Sequence, residues 1–178
     1  MSASAHNPRA GKEGGNTFGS RHQMKHGHYG VLNWFIRRAL DGQPIELYGG
    51  GKQTRDYTFV EDAADAFRLA ILKLPLDGQH FLVGSPFEAS MRQVADLVVA
   101  ACGQGTVVDR PYPPGVKEIE VLRYLTSFGK FRSATGWEPR VPLAEGVART
   151  VAWFRAEAGG ADGGGSRTKG ALDVVGCR

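Results

Sequence analysis

Tyr48 and Lys52 stand four residues apart in the run Tyr-Gly-Gly-Gly-Lys. At that spacing on a helix a phenol and an ammonium share one face, and the cation lowers the pKa of the phenol, which makes an acid/base pair. Three consecutive glycines do not hold such a helix, since each costs about 1 kcal/mol relative to alanine. The segment therefore reads as a strand end and a turn, and no catalytic residue is assigned. Gly49-Gly50-Gly51-Lys52 also has a superficial likeness to a phosphate loop. That loop needs glycine where Glu46 stands and Ser or Thr where Gln53 stands. No strand runs into G-x-G-x-x-G, the dinucleotide fingerprint, and no serine sits in a G-x-S-x-G elbow. His22, His26 and His28 lie within His-Gln-Met-Lys-His-Gly-His. Composition alone would allow a metal there, but three histidines on one loop read as solvated, and no metal ligand set is assigned.

Positioning any site requires a fold. The 178 residues suffice for one domain with a substantial core. Apolar content of 42% and charged content of 22% are those of a globular chain. No apolar run reaches the roughly 20 residues of a membrane helix, and the first residues lack the apolar stretch of a secretory leader. Cys102 and Cys177 form neither a disulfide framework nor a zinc pattern, so a reducing cytoplasm is expected. The net charge of +4 is carried by the ends: residues 31–158 hold fifteen basic and fifteen acidic residues. That neutral middle argues against a nucleic-acid surface, which needs a basic stripe on a folded element.

Residues 1–15 and 159–178 are Gly-rich, polar and without period, and are expected to lack order. Between them strands and helices alternate, which gives an α/β class. Helical spacing marks 31–40, 61–72, a helix after Ser90 as its N-cap, 127–135 and 142–158. Strand patterns mark 45–48, 56–60, 79–84 and 106–112, the last broken by Pro111.

Residues 16–67 resemble the extended short-chain dehydrogenase/reductase family, and within it the NAD-dependent nucleotide-sugar epimerases and dehydratases. The ordered matches are Asn16, Phe18, Gly19, Arg21, Tyr48, Gly49, Gly51, Gln53, Arg55, Asp56, Tyr57, Val60 and Asp62. Phe-Leu-Val-Gly-Ser at 81–85 and the run 136–154 are also family-like. The resemblance covers about 16–157 and implies the C-terminal, substrate-binding portion of a Rossmann-like fold. The family's Gly-rich NAD loop and its catalytic Tyr-x-x-x-Lys belong to the other half. Residues 8–15, Pro-Arg-Ala-Gly-Lys-Glu-Gly-Gly, cannot be the buried strand the family runs into Asn16. A partial gene product or a mis-assigned start is the expected reason.

The resemblance implies roles for several residues. Asn16 would reach the sugar or phosphate, and Phe18 would line the nicotinamide side. Val31 and Leu32 would offer backbone amides to a diphosphate at a helix N-terminus. Glu46 would contact the base through its backbone, and Tyr48 would stack on it. Arg55 would bind the diphosphate through its guanidinium fork, the competing role being an ion pair with Asp56. Arg123 would be a second phosphate ligand. The family's Asp-x-Ser-Lys is replaced here by Ser127-Phe128-Gly129-Lys130, and Trp137 and Pro139 read as packing. In the complete enzyme NAD would take a hydride from the sugar and return it, while the protein positions and polarises. The expectation is a fragment that binds a nucleotide-sugar, inactive alone, with a homodimer possible for the complete enzyme. The alternative is a non-catalytic nucleotide-sugar binder or a partner subunit completed by another chain, which size-exclusion behaviour would distinguish from a stray fragment.

Overall fold

Segments with helical period and segments with strand period alternate along the chain, and the computed structural model turns them into two small sheets with helices packed against them. It describes residues 16–25, 27, 30–72, 79–112 and 121–161. Strand β1 (Asn16–Phe18) leads to helix α1 (Val31–Leu40), β2 (Pro44–Tyr48), a tight 3-10 turn at Gly49–Gly51, and β3 (Thr54–Phe59). Then come α2 (Val60–Leu72), β4 (Glu88–Ser90), α3 (Met91–Cys102) and β5 (Thr106–Arg110). β6 (Arg123–Tyr124), α4 (Gly129–Thr135) and α5 (Leu143–Ala161) complete the described chain.

β3 organises the larger sheet. Its second half pairs in parallel with β1, Asn16 opposite Tyr57 and Phe18 opposite Phe59. Its first half lies between antiparallel β4 and parallel β6, so Arg55 faces both Ala89 and Tyr124 along the ladder. The second sheet is the parallel pair β2–β5, from Pro44 opposite Thr106 to Tyr48 opposite Arg110. All three parallel pairs need long crossovers, and the segments between their strands include helices. The main core gathers Leu32, Phe35, Ile36 and Ala39 of α1, Ile45 and Leu47 of β2, Val94, Ala95 and Val98 of α3, and Val147 and Val151 of α5. On the first two helices these residues recur every three or four positions, the spacing that puts them on one face.

Ser90 caps α3: its hydroxyl accepts from the Gln93 amide, and the Gln93 side chain accepts from the Ser90 amide. This reciprocal pair satisfies two of the donors a helix start leaves open. α2 begins with Glu61 and Asp62, acids at the positive end of the helix dipole.

Three expectations are corrected. Residues 79–84 are not a strand: Leu82 is 46% exposed, and the segment is held through side chains. Just beyond it, the Ser85 hydroxyl donates to the Tyr57 carbonyl and the Ser85 amide to the buried Asp56 carboxylate. Those bonds take the place of a ladder. The last helix runs past 158 to Ala161, through Gly159 and Gly160, because glycine weakens a helix end without stopping it. Strands β4 and β6, of three and two residues, were not expected, since such short pieces carry no alternation to read. Residues 1–15 and 162–178 lie outside the described residues. No described helix is long and apolar enough to cross a membrane.

Candidate functional site

α1 starts at Gly30 in the left-handed conformation, with no side-chain cap and no acidic residue in its first turn. Its first amides are therefore open donors at the positive end of a ten-residue helix, a setting that suits anions. Val31, Trp34 and Phe35 of this helix share one face, and that face forms one wall of a cavity of about 330 Å³. β2 supplies Glu46, Leu47 and Tyr48, Gln53 lies just before β3 and Arg55 on it, and Gly27 and Met91 close the lining. Four of the residues expected to bind substrate, Val31, Glu46, Tyr48 and Arg55, thus converge on one space from three elements.

Arg55 Nη1 donates to the carbonyls of Thr54 and Val121, at 2.8 and 2.7 Å. These bonds brace the guanidinium at the cavity wall. Successive strand residues point to opposite faces, so Asp56 turns inward, where its carboxylate accepts from the Ser85 amide and the Thr126 hydroxyl. Glu46 accepts from the Arg110 guanidinium at 3.0 Å. Gln53 was quoted in the family pattern without a role. Its Oε1 is buried and has no hydrogen-bond partner among the described residues. Trp34 and Met91 also line this space and were missed, because sequence spacing places them on a helix face without saying what that face meets.

The remaining expected residues sit elsewhere. Leu32 is buried in the core, so only its backbone can serve a ligand. Asn16 is half-buried on β1, away from this lining. Phe18 lies outside this lining too: its ring is 2% exposed and packed edge-on against Tyr57 and Phe59. Arg123 spends its fork on Glu88, with both bonds at 2.9 Å. The Tyr48–Lys52 spacing is not helical, as Gly50 between them has φ 76°. Burial pushes the Tyr57 phenol far above the usual range, and Arg55 only partly opposes that. His22 packs under Gly30, and His26 and His28 lie outside the described residues.

A larger cavity, about 470 Å³, opens where the C-terminal ends of α1, α3 and α5 meet. Its polar groups are engaged: Arg37 pairs with Asp41, Arg155 donates to the Cys102 carbonyl, and Gln104 to the Leu40 carbonyl. None of the residues expected to bind substrate lines it, so size does not make it the better candidate.

The Arg123 fork, together with the Thr54 hydroxyl, holds the Glu88 carboxyl down from 4.5 to about 2. A depressed carboxyl stabilises the fold above its unfolded pKa, and that contribution disappears as pH falls through the folded value. Arg123→Ala is expected to bring the Glu88 titration, followed by carbon-detected NMR, back toward the ordinary carboxylate range. A midpoint still near that of the unsubstituted protein would exclude the fork as the cause.

The family model described as "NAD dependent epimerase/dehydratase family" matches residues 14–84. UDP-glucose 4-epimerase of Mycolicibacterium smegmatis is 37% identical over 142 residues, which are 79% of this chain and 43% of that protein. Among solved structures, UDP-glucose 4-epimerase of Thermotoga maritima with UDP-glucose is similar at 30% identity and a TM-score of 0.71, covering 81% of this chain and 45% of that one. UDP-glucose 4-epimerase of Thermus thermophilus in complex with NAD is similar at 34% identity and a TM-score of 0.65, covering 79% and 44%. The chain thus spans less than half the length of these relatives. With the ordered pattern from Asn16 to Asp62 and the parallel sheets it builds, the chain is similar to part of the NAD-dependent epimerases and dehydratases.

Proposed function

We propose that this chain is the nucleotide-sugar-binding part of an NAD-dependent epimerase or dehydratase. The observation that carries the reading is the cavity in which the open N-terminus of α1, Arg55 and Tyr48 meet. A nucleoside diphosphate has the chemistry these groups suit. The diphosphate would lie between the α1 amides and the Arg55 guanidinium, both of which favour anionic oxygens. The base would lie against the half-exposed Tyr48 ring. β2 has β5 as its only neighbour among the described residues, so alternate backbone groups on its other edge can serve the base beside Glu46.

In the complete enzyme NAD would supply reversible hydride removal, and the residues of this chain would hold the nucleotide while the sugar reacts. The chain by itself is proposed to bind without turning over. Calorimetric titration with UDP-glucose tests both parts. Binding is expected, and Arg55→Ala is expected to weaken it by about 1.5–3 kcal/mol, roughly ten- to hundredfold in Kd. With NAD added, no new nucleotide-sugar should appear by chromatography. A chain that binds no UDP-glucose, or an Arg55→Ala variant that binds it equally well, would refute the reading. Product formed by the chain alone would refute the second part.

A further inference from the structure

Tyr48 does not stand alone at the cavity. Its ring stacks on Tyr112, with centroids 6.2 Å apart and planes inclined by 28°. Tyr48 lines the cavity and Tyr112 does not, so Tyr112 supports the Tyr48 ring without forming part of the cavity wall. The local chain builds this contact. Tyr48 is the last residue of β2 and lies opposite Arg110, the last residue of β5. Pro111 has no N–H to continue the ladder, so the chain leaves the sheet there and Tyr112 swings over the turn that follows Tyr48. That turn leaves room for the ring at Gly49, where a Cβ would stand 2.1 Å from Tyr112 Cε2. Gly49 also has a φ of 59°, which disfavours other residues. Two independent features at one position therefore keep the space that the Tyr112 ring occupies.

We propose that Tyr112 is a positioning residue for the nucleobase: it stacks on Tyr48 and holds that ring fixed at the cavity mouth, ready to receive a planar base. A Tyr ring at a strand end would otherwise sample several rotamers and lose that freedom on binding. A second ring against it removes this cost in advance. The inference rests on the nucleotide-binding reading above. It adds that affinity for the base depends on a residue that does not touch it.

A double-mutant cycle on the full chain tests this, with UDP and dTDP as probes, since stacking tolerates a change of base. Tyr48→Ala and Tyr112→Ala are each expected to weaken binding about five- to tenfold, within the range of a lost base–aromatic stack. Because Tyr112 acts through Tyr48, the double variant is expected to bind no more weakly than Tyr48→Ala alone. Tyr112→Phe, which keeps the ring, is expected to bind like the unsubstituted chain. Unchanged affinity in Tyr112→Ala, or losses that add in the double variant, would overturn the proposal and leave the nucleotide reading standing. If the unsubstituted chain binds neither probe, both fall together.

Discussion

Trp137→Ala is expected to cost about 3–5 kcal/mol of stability, a large part of what a domain of this size has. Trp137 is 2% exposed and lies just beyond α4. It packs with Ala66 of α2 and Phe131 of α4, with Phe128 edge-on at 5.9 Å and Phe131 at 5.7 Å. Removing the indole leaves a cavity that these neighbours cannot close. It also removes a bond, because Nε1–H donates to the Asp62 carbonyl at 3.1 Å. The Asp62 carboxylate in turn accepts from the Arg140 and Val141 amides, both at 3.0 Å. Asp62 thus ties the start of α2 to the segment entering α5, and Trp137 fills the space beneath that tie. Trp137→Phe keeps a packed ring but loses the hydrogen bond and part of the indole volume, for a smaller expected cost of about 1–3 kcal/mol. Urea denaturation measures both variants. If Trp137→Ala lies within about 1 kcal/mol of the unsubstituted chain, the cluster does not hold α2, α4 and α5 together in the way described.

The sequence reading reached furthest where local chemistry decides the outcome. Residues 31–40 carry an apolar stripe with a 3.6 period and end at Asp41-Gly42, and α1 follows that stripe residue for residue. Ser90 with Gln93 three residues on sets the start of α3. Three glycines after Tyr48 forbid a helix, and the turn there is not helical. The reading failed where an apolar string has partners that only the fold provides. Phe81, Leu82 and Val83 look like a buried strand, yet the backbone near them is held by Ser85 and Asp56 through side-chain bonds, which no period encodes.

The candidate site divides in the same way. Tyr48, Arg55 and Val31 lie at or next to element ends, with Glu46 two residues before Tyr48 on the same strand, and strand and helix ends gather at one side of an α/β layer, so their convergence follows from the order of elements. The fate of Arg123 depends on Glu88, which lies 35 positions away in sequence and beside it only because β4 and β6 both flank β3. The fate of Phe18 depends on the rings of Tyr57 and Phe59, which reach it through β1–β3 pairing. Neither partner can be named from spacing alone. Gln53 shows a third case: its place in the pattern was visible, and its unpartnered oxygen was not.

Asn33→Ala is expected to be the second most damaging change, at about 2–4 kcal/mol. Asn33 is a fully buried amide in the first turn of α1. Its Nδ2 donates to the Gly19 carbonyl at 2.8 Å, and its Oδ1 accepts from the Gly19 amide at 3.4 Å. Gly19 cannot move away to find water. Its φ is 149°, and a Cβ there would stand 2.3 Å from Val60 Cγ1, so the chain leaving β1 is wedged against the start of α2. Truncating Asn33 would therefore strand a buried N–H and a buried C=O together, and each unpaired group costs its full desolvation penalty. Asn33→Leu distinguishes bonding from filling, because it restores volume without restoring either bond, and it should remain destabilised by about 2 kcal/mol or more. Amide exchange gives a local readout: the Gly19 N–H should be protected in the unsubstituted chain and exchange markedly faster in both variants. A leucine variant as stable as the parent would mean that the Gly19 groups find other partners. In that case the alignment of α1 on β1, and with it the direction in which the open α1 amides face the cavity, would have to come from core packing alone.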